Sequence, residues 1–472
     1  DAPETTALAL GQRGSLSTFF FSPEPRREPA EGEVEIEIKV TGLNFIEVLY
    51  SLGMLPHDAG SRFPYGLECA GIVRRSGSGA GEFRPGDEVV AFANGCFKAF
   101  AAVPVRAVAH KPEALSLEQA ATLPAAYMTA WHSLTRAAQL VAGERVLIHS
   151  AAGGVGLAAV HVAKLLGAEV LATAGTEEKR QFLQSIGVLH VADSRSNGFG
   201  RQIMDATDGA GVDIVLNSLG EEFTGESLSV LARYGRFVEL GKRAIFANGS
   251  FDLRPFERQL TFTAVDVGPD LPQFANSWKE LMGHIHTGAL PPLPFRAFQA
   301  TNPAEGFEYM ARGHHIGKIV FTFGPPQELL RSASQPSESG RSFSSIVCLE
   351  TDSTETTAEA RTESSTEEEA EIPSDLATDT EKGVARIWRD LLGTSSIRRH
   401  DNFFDLNGDS LLAAQVISQI HREFGVKLPF SSIFDAPSVE ELALEIDKSG
   451  NGAAPPAGLD DHLDDDLEEG VI

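Results

Sequence analysis

The sequence predicts an α/β protein: a small irregular strand domain, interrupted by a doubly wound parallel-sheet unit and followed by a short bundle of four helices. Three observations carry this. Residues 34–40 alternate apolar and charged side chains. Residues 145–173 read strand, glycine turn, helix, strand. Residues 376–449 regain helical periodicity after a long acidic stretch.

The opening third is strand-rich. Val34-Glu35-Ile36-Glu37-Ile38-Lys39-Val40 has the period of a half-buried strand. Short strands with Gly/Pro turns follow, as at Arg84-Pro85-Gly86-Asp87 before Glu88-Val89-Val90, which suggests an irregular barrel. From residue 145 the pattern changes. Arg145 to His149 is a short apolar run suited to a buried parallel strand, and Leu157 to Leu166 reads as a helix stopped by Gly167. Glu169 to Thr173 is the next strand. Between strand and helix lies Ser150-Ala151-Ala152-Gly153-Gly154-Val155-Gly156, a dinucleotide-binding turn with Ala151 in the first glycine's place. Gly153 would let the backbone approach a pyrophosphate, Gly156 would let helix and strand pack closely, and the helix start at Gly154 and Val155 would carry the phosphate charge.

The end of the second strand selects the cofactor. An NAD site wants Asp or Glu there, but this chain has Thr173-Ala174-Gly175-Thr176, then Glu177-Glu178-Lys179-Arg180. Two cations without a strand-end carboxylate favour the 2′-phosphate of NADPH, with Arg195 as a further ligand; the alternative is an ordinary solvated helix start. Val212 to Asn217 and Gly235 to Gly241 read as further parallel strands. Their carboxyl ends place Asn217, Ser218 and Gly241 where ligands sit in open α/β sheets.

Composition bounds the rest. The 472 residues leave room for roughly two to four domains. The 39 basic and 66 acidic residues give a net charge of −27, against nucleic acid as a main partner. No apolar run approaches the ~20 residues of a membrane span. Cys69, Cys96 and Cys348 form no CxxC pair, so neither a disulfide framework nor a Cys-rich zinc site is expected, and a reducing cytoplasm is the expected location. The chain opens on Asp1-Ala2-Pro3 without Met or a signal peptide and reads as a piece of a longer polypeptide.

Residues 1–325 resemble the medium-chain dehydrogenase/reductase superfamily, and within it the enoyl reductase domains of modular polyketide synthases and animal-type fatty acid synthases. The resemblance rests on Thr41 to Phe45, Leu52-Gly53-Met54, Pro85 to Val89, Ala151 to Gly156, Val215 to Leu219, Gly235 to Lys242 and His315-Ile316-Gly317-Lys318. It implies a GroES-like barrel substrate domain (1–135 and 270–325) holding an inserted NADPH-binding Rossmann domain (136–269). Hydride would pass to the β-carbon of an α,β-unsaturated thioester and a proton to the α-carbon. Zinc relatives carry Gly-His-Glu where this chain has Gly66-Leu67-Glu68, so catalytic metal is not expected. The resemblance offers Lys179 as proton donor, but Ser196 replaces the aspartate that accompanies it, Leu55 replaces a tyrosine, and Lys179 fits a 2′-phosphate equally. Asn44 and Thr129 are candidates for the nicotinamide pocket, with turn and cap roles as alternatives. His314-His315 reads as a surface loop pair. Asn44-Phe45-Ile46-Glu47 is similar to the quinone reductases, which leaves a quinone or alkenal reductase open, as does an inactive reductase serving as scaffold.

Residues 326–375 are a Ser/Thr/Glu-rich, disordered acidic linker by composition. In the region 376–449, helices are expected over Lys382–Leu392, Ser410–Phe424 and Leu442–Ile446. Asp401 to Leu411 resembles the acyl and peptidyl carrier signature, in which Ser410 receives 4′-phosphopantetheine; Asn407 replaces one glycine, and a plain N-cap is the alternative. That implies a phosphopantetheinyl transferase and the upstream domains of a synthase as partners. The linker would let the arm reach the cleft at millimolar effective concentration. In the tail, 450–472, Leu459, Leu463, Leu467 and Val471 recur among acids, expected either to dock on a basic groove of the next synthase subunit or to act as a solubilising tail.

Overall fold

The computed structural model describes residues 4–56, 62–194, 198–220, 223–246, 252–325, 329, 376–394, 396–403, 406, 408, 410–426, 428 and 432–450. Nearly all of the acidic segment, the tail beyond Gly450, and Arg195 and Ser196 lie outside the described residues. The chain divides into two compact units, Asp1–Glu350 and Thr351–Ile472.

The first unit opens on an antiparallel hairpin, β1 (Glu4–Leu10) and β2 (Phe19–Pro25). Then come β3 (Glu33–Leu43), α1 (Phe45–Ser51), β4 (Glu68–Ser76), β5 (Glu88–Phe92), β6 (Phe100–Pro104), β7 (Val108–His110), α2 (Leu117–Ala120) and α3 (Pro124–His132). A βα series follows: β8 (Arg145–Ile148), α4 (Gly154–Leu165), β9 (Glu169–Ala174), α5 (Glu177–Ser185), β10 (His190–Asp193), α6 (Phe199–Ala206), β11 (Val212–Asn217), α7 (Thr224–Ser229), β12 (Leu231–Glu239), α8 (Arg243–Phe246) and β13 (Thr261–Ala264). The unit closes with α9 (Phe274–His286), β14 (Phe295–Gln299), α10 (Pro303–Ala311) and β15 (Lys318–Thr322).

Two main sheets result. One has the order β14-β15-β3-β4-β5-β7, with β6 also on β3, so strands from both ends of the unit share it. The other is six-stranded and parallel, in the order β10-β9-β8-β11-β12-β13. The chain leaves β8 in one direction and returns to β11 on its other side, so the topological switch lies between β8 and β11, where open α/β sheets bind ligands. Leu147, Leu171, Phe199, Val215 and Phe237 fill the core on this sheet.

The alternation at 34–40 predicts a half-buried strand, yet β3 is buried on both faces. The charged face is covered by arginines. Arg26 holds Glu35 with two 2.7 Å hydrogen bonds while its guanidinium lies 3.6 Å from the Phe100 ring centroid, and Arg75 also pairs with Glu35; Arg74 and Lys39 pair with Glu37. Burial pushes Glu35 up, but the hydrogen bonds from Arg26 and Arg75 outweigh it and hold the carboxyl below its usual range. Charge in a strand marks a solvated face only when no cation from elsewhere covers it.

The second unit has four helices among the described residues: α11 (Asp379–Leu392), α12 (Ser410–Phe424), α13 (Ser432–Asp435) and α14 (Val439–Gly450). Thr378 caps α11 and Gly393 ends it in the left-handed conformation. Trp388, Phe403, Val416, Ile420, Ile433 and Leu442 make its core. No helix of the described residues is long and apolar enough to cross a membrane.

Candidate active site

The turn after β8 is built by close contacts. Ser150 takes a left-handed φ of 49°, and the Ala151 N–H donates to the Thr173 carbonyl at 3.0 Å. A Cβ on Gly156 would lie 2.5 Å from the Ser150 carbonyl oxygen and 2.6 Å from Ala151 Cα, so only glycine lets α4 pack against the strand end. At Gly153 an added Cβ would meet only the Ser150 carbonyl, at 3.4 Å. Packing therefore does not demand glycine there, which fits a position reserved for a ligand's approach. Gly153, Gly154 and Val155 are partly exposed at the start of α4, whose first N–H groups have no intrahelical partner.

At the end of β9, Thr176 caps α5 by accepting from Lys179 N–H at 3.3 Å. Lys179 Nζ donates to the Gly313 carbonyl at 2.5 Å. Arg180 donates to the Ala174 carbonyl (3.1 Å) and Glu177 (3.0 Å) and pairs with Asp193 at the end of β10 (3.2 Å). The neighbouring strand thus supplies a carboxylate that β9 itself lacks. Thr173 is fully buried and its hydroxyl lies 2.9 Å from His149 Nδ1. Ser227 Oγ donates to the Phe223 carbonyl, so His149 Nε2 carries the proton that reaches Ser227, at 3.0 Å, and Nδ1 accepts from Thr173. Burial pushes His149 down to about 3, a neutral ring tying β8, β9 and α7 together.

On the far side of the switch, Asn217 is fully buried, and its Nδ2 donates to Glu239 at 2.7 Å. Ser218 is exposed and its hydroxyl donates to the His149 carbonyl at 3.3 Å. Gly241 N–H donates to Glu239 at 2.6 Å. Burial pushes Glu239 up to about 7 despite these two hydrogen bonds.

The barrel-like sheet contributes a buried charge cluster. Lys318, the first residue of β15, is 3% exposed and Glu68, the first of β4, is 0% exposed. Lys318 Nζ donates to Glu68 Oε1 (2.5 Å), Asn44 Oδ1 (2.9 Å) and the Leu43 carbonyl (2.9 Å). Asn44 Nδ2 and the Ala125 N–H, at 3.1 and 2.7 Å, complete the ring around Glu68. Asn44 also begins α1, where its N–H donates to Glu47 at 2.8 Å. Glu47, fully buried and pushed up to about 7 by burial, accepts the Gly66 N–H at 2.6 Å. The cluster touches the dinucleotide turn. A Cβ on Gly154 would lie 2.7 Å from Lys318 Cδ, and Gly317 N–H donates to the Ala152 carbonyl at 2.8 Å. Thr129 sits half-buried within α3 rather than at a cap.

His314 is exposed, as a surface loop residue would be. His315 differs: its Nδ1 is buried without a hydrogen-bond partner among the described residues, and burial, with Lys179 and Lys318 nearby, pushes it down to about 3. The loop folds back onto the turn between the two sheets, so adjacency in sequence did not give the two imidazoles one environment.

The structure thus gathers Asn44 with Lys318 at Gly154, and Asn217 with Gly241 across the switch. The Lys318–Glu68 pair was missed. A lysine opening the apolar run Ile319-Val320-Phe321 after a glycine was the available signal.

In the second unit Ser410 is the first residue of α12. Phe403 anchors the preceding loop in the core; its N–H donates to the Pro437 carbonyl at 2.8 Å and its carbonyl accepts from Gly408 at 2.9 Å. A Cβ on Gly408 would lie 2.4 Å from the Phe403 ring, so that glycine is required.

Residues 30–113 match the alcohol dehydrogenase GroES-like domain, residues 154–286 the zinc-binding dehydrogenase family and residues 382–446 the phosphopantetheine attachment site. Fold and site therefore define a medium-chain dehydrogenase/reductase joined to a carrier domain. The crystal structure of CurK enoyl reductase superposes with a TM-score of 0.63 at 36% identity, covering 68% of this chain and 99% of that one. Escherichia coli quinone oxidoreductase complexed with NADPH gives 0.60 at 26%, covering 67% and 99%. A phenolphthiocerol/phthiocerol polyketide synthase of Mycobacterium tuberculosis is 40% identical over 319 residues. The mycocerosic acid synthase-like polyketide synthase of Mycolicibacterium smegmatis is 38% identical over 325. These alignments take in 67% and 68% of this chain but only 15% of either synthase. The chain belongs to the enoyl reductase family of the medium-chain dehydrogenase/reductases, with a phosphopantetheine carrier domain behind it.

Proposed function

We propose that the chain reduces the α,β double bond of an enoyl thioester held on a phosphopantetheine arm at Ser410, using NADPH, during polyketide chain assembly. The observation that carries this is the presence, in one chain, of a dinucleotide turn abutting a buried lysine cluster and of a carrier signature that departs from its pattern at Asn407. NADPH, when bound, supplies the hydride. The residues of the chain do the rest. Gly153 and Gly154 admit the pyrophosphate to the start of α4, and Val155 and Gly156 extend that bed. Lys318 lays its stem against the same turn, with Glu68 and Asn44 holding its ammonium. Lys179 is assigned to the 2′-phosphate rather than to proton donation, because it stands behind the end of β9, on the adenosine side of a doubly wound sheet. Arg180 is a weaker ligand, since Glu177 and Asp193 already engage it, and Arg195, two positions after Asp193 in sequence, is a further proposed ligand. Asn44, Thr129, Asn217, Ser218 and Gly241 would line the nicotinamide side. With Leu55 and Ser196 where relatives have ionisable groups, water is the proposed source of the α-proton.

Zinc does not fit. Leu67 offers no ligand, Glu68 is committed to Lys318, and among the described residues no three His, Cys, Asp or Glu side chains gather to hold a metal. The developing enolate would be met by hydrogen-bond donors instead. The surrounding partners would be other domains of the same cytoplasmic synthase, a phosphopantetheinyl transferase, and a downstream synthase polypeptide engaged by the acidic tail.

The test is oxidation of NADPH by crotonyl-pantetheine, with NADH and a quinone as controls, repeated with crotonyl-loaded carrier. Selective turnover of the thioester is expected. Rapid quinone reduction without thioester turnover would support the second reading, a quinone reductase fused to a carrier, which the Asn44-Phe45-Ile46-Glu47 segment and the likeness to quinone oxidoreductase favour. Absence of dinucleotide binding would mean a scaffold.

A further inference from the structure

Glu239 ends β12 as a buried carboxyl, 5% exposed, that hydride transfer itself does not use. Two N–H donors converge on it: Asn217 Nδ2 on Oε2 at 2.7 Å and Gly241 N–H on Oε1 at 2.6 Å. Asn217 cannot turn round, because its Oδ1 accepts from Leu219 N–H at 3.2 Å. The hydrogen bonds therefore run one way, from Leu219 through Asn217 to Glu239, and meet the Gly241 N–H arriving from the other side. The ionised carboxylate answers both donors best, accepting strongly at each oxygen. Protonation leaves one oxygen a weak acceptor, and a glutamine would turn an N–H against a donor. Gly241 makes the approach feasible, since a Cβ there would lie 2.7 Å from Glu239 Oε1 and 3.6 Å from the Leu219 carbonyl. Loops 217–220 and 240–242 thus lie side by side with Glu239 as their common anchor.

These loops leave the carboxyl ends of β11 and β12. In a doubly wound sheet the half carrying β9 takes the adenosine, so the other half takes the second nucleoside. Resting on the cofactor reading above, we propose that Glu239 is a positioning residue: as a carboxylate it locks the two loops that bed the nicotinamide half of the dinucleotide, and its protonation frees one of them and weakens cofactor binding. Burial, which pushes this carboxyl up to about 7, places the change near neutrality. Among the described residues the charged or titratable groups on the surrounding elements are few. Lys242 pairs with Asp266 beyond β13, and His149, across β11, stays neutral and bonded to Thr173 and Ser227.

The experiment is a fluorescence titration of the full chain with NADPH and with NADH, from mildly acid to mildly alkaline pH, for the wild type, Glu239→Gln and Glu239→Asp. The NADH arm removes the titration of the 2′-phosphate. The wild type should bind about tenfold tighter once Glu239 is ionised, the worth of one charge-assisted hydrogen bond. Glu239→Gln should stay weak and flat, and Glu239→Asp should keep a pH-dependent rise. KM for the cofactor should move more than kcat. A Glu239→Gln profile that tracks the wild type, or a flat wild-type NADH profile, would overturn the inference. The wild-type and Glu239→Asp profiles decide it if the glutamine variant does not fold. If the wild type binds neither dinucleotide at any pH, the cofactor reading itself fails and takes this inference with it.

Discussion

The two units reach their sites by opposite routes. In the carrier unit everything that presents Ser410 lies in one contiguous stretch, with Phe403 as anchor and Gly408 packed against its ring. In the reductase unit the central contact joins Lys318 to Glu68, 250 positions apart in the chain. A local site depends on a few neighbours, so its removal is clean. A site assembled across two sheets shares its residues with the fold, so function and stability fall together.

The largest expected effect tests the local site. Ser410→Ala should abolish the mass gain on incubation with a phosphopantetheinyl transferase and coenzyme A, read by intact-protein mass spectrometry; any residual gain places the arm elsewhere. Next, Lys318→Met should leave Glu68 buried without a counter-charge and cost on the order of 3–5 kcal/mol in urea unfolding. Adding Glu68→Leu should recover much of that, because a buried pair replaced by apolar groups is often close to neutral. Equal losses in the single and double variants would break the contrast. Gly156→Ala forces a Cβ onto backbone atoms at 2.5–2.8 Å and should cost about 1–3 kcal/mol, along with dinucleotide binding.

The pH dependence of stability is smaller, and its sign follows from the shifts. Glu47 and Glu239, raised from 4.5 to about 7, bind more protons folded than unfolded, so their contribution is lost as pH rises through 7. His149 and His315, lowered from 6.5 to about 3, act in the opposite sense, adding stability as pH rises to 6.5. The two pairs offset between 4.5 and 6.5. Above 6.5 the carboxyls still lose stability up to about 7, while the histidines, with His132 and His161 also lowered by burial, complete their gain, so urea stability should change by less than about 1 kcal/mol from pH 6.5 to 8; a larger rise would contradict the carboxyl assignment. Cofactor selectivity is a change in binding, on a comparable scale. Lys179→Ala should lower the preference for NADPH over NADH about tenfold, the scale of one charge-assisted contact. Arg180→Ala should lower it less, because Glu177 and Asp193 already engage its guanidinium. Equal effects would show that the two cations share the phosphate.

Elements whose signals are local can be read from the residues alone. The strand, glycine turn and helix at 145–166, the parallel strands read over Val212 to Asn217 and Gly235 to Gly241, and α12 starting at Ser410 follow from hydrophobic period and glycine placement, which act over a few residues. Which charges are buried, and what answers them, emerges only when distant segments pack together. The alternation of β3 looked like a solvated face until Arg26 and Arg75 arrived to cover Glu35, and His315 looked like a surface residue until its loop folded onto the dinucleotide turn. Asp193 reached Arg180 because β10 lies beside β9. Lys318 found Glu68 across the width of β3, and Glu239 found Asn217 on the adjoining strand, through a sheet order that no spacing announces. The physical reason is common to all of them. Burying a charge is unfavourable unless a partner is present, and that partner is fixed by the packing of distant segments, not by the residues on either side.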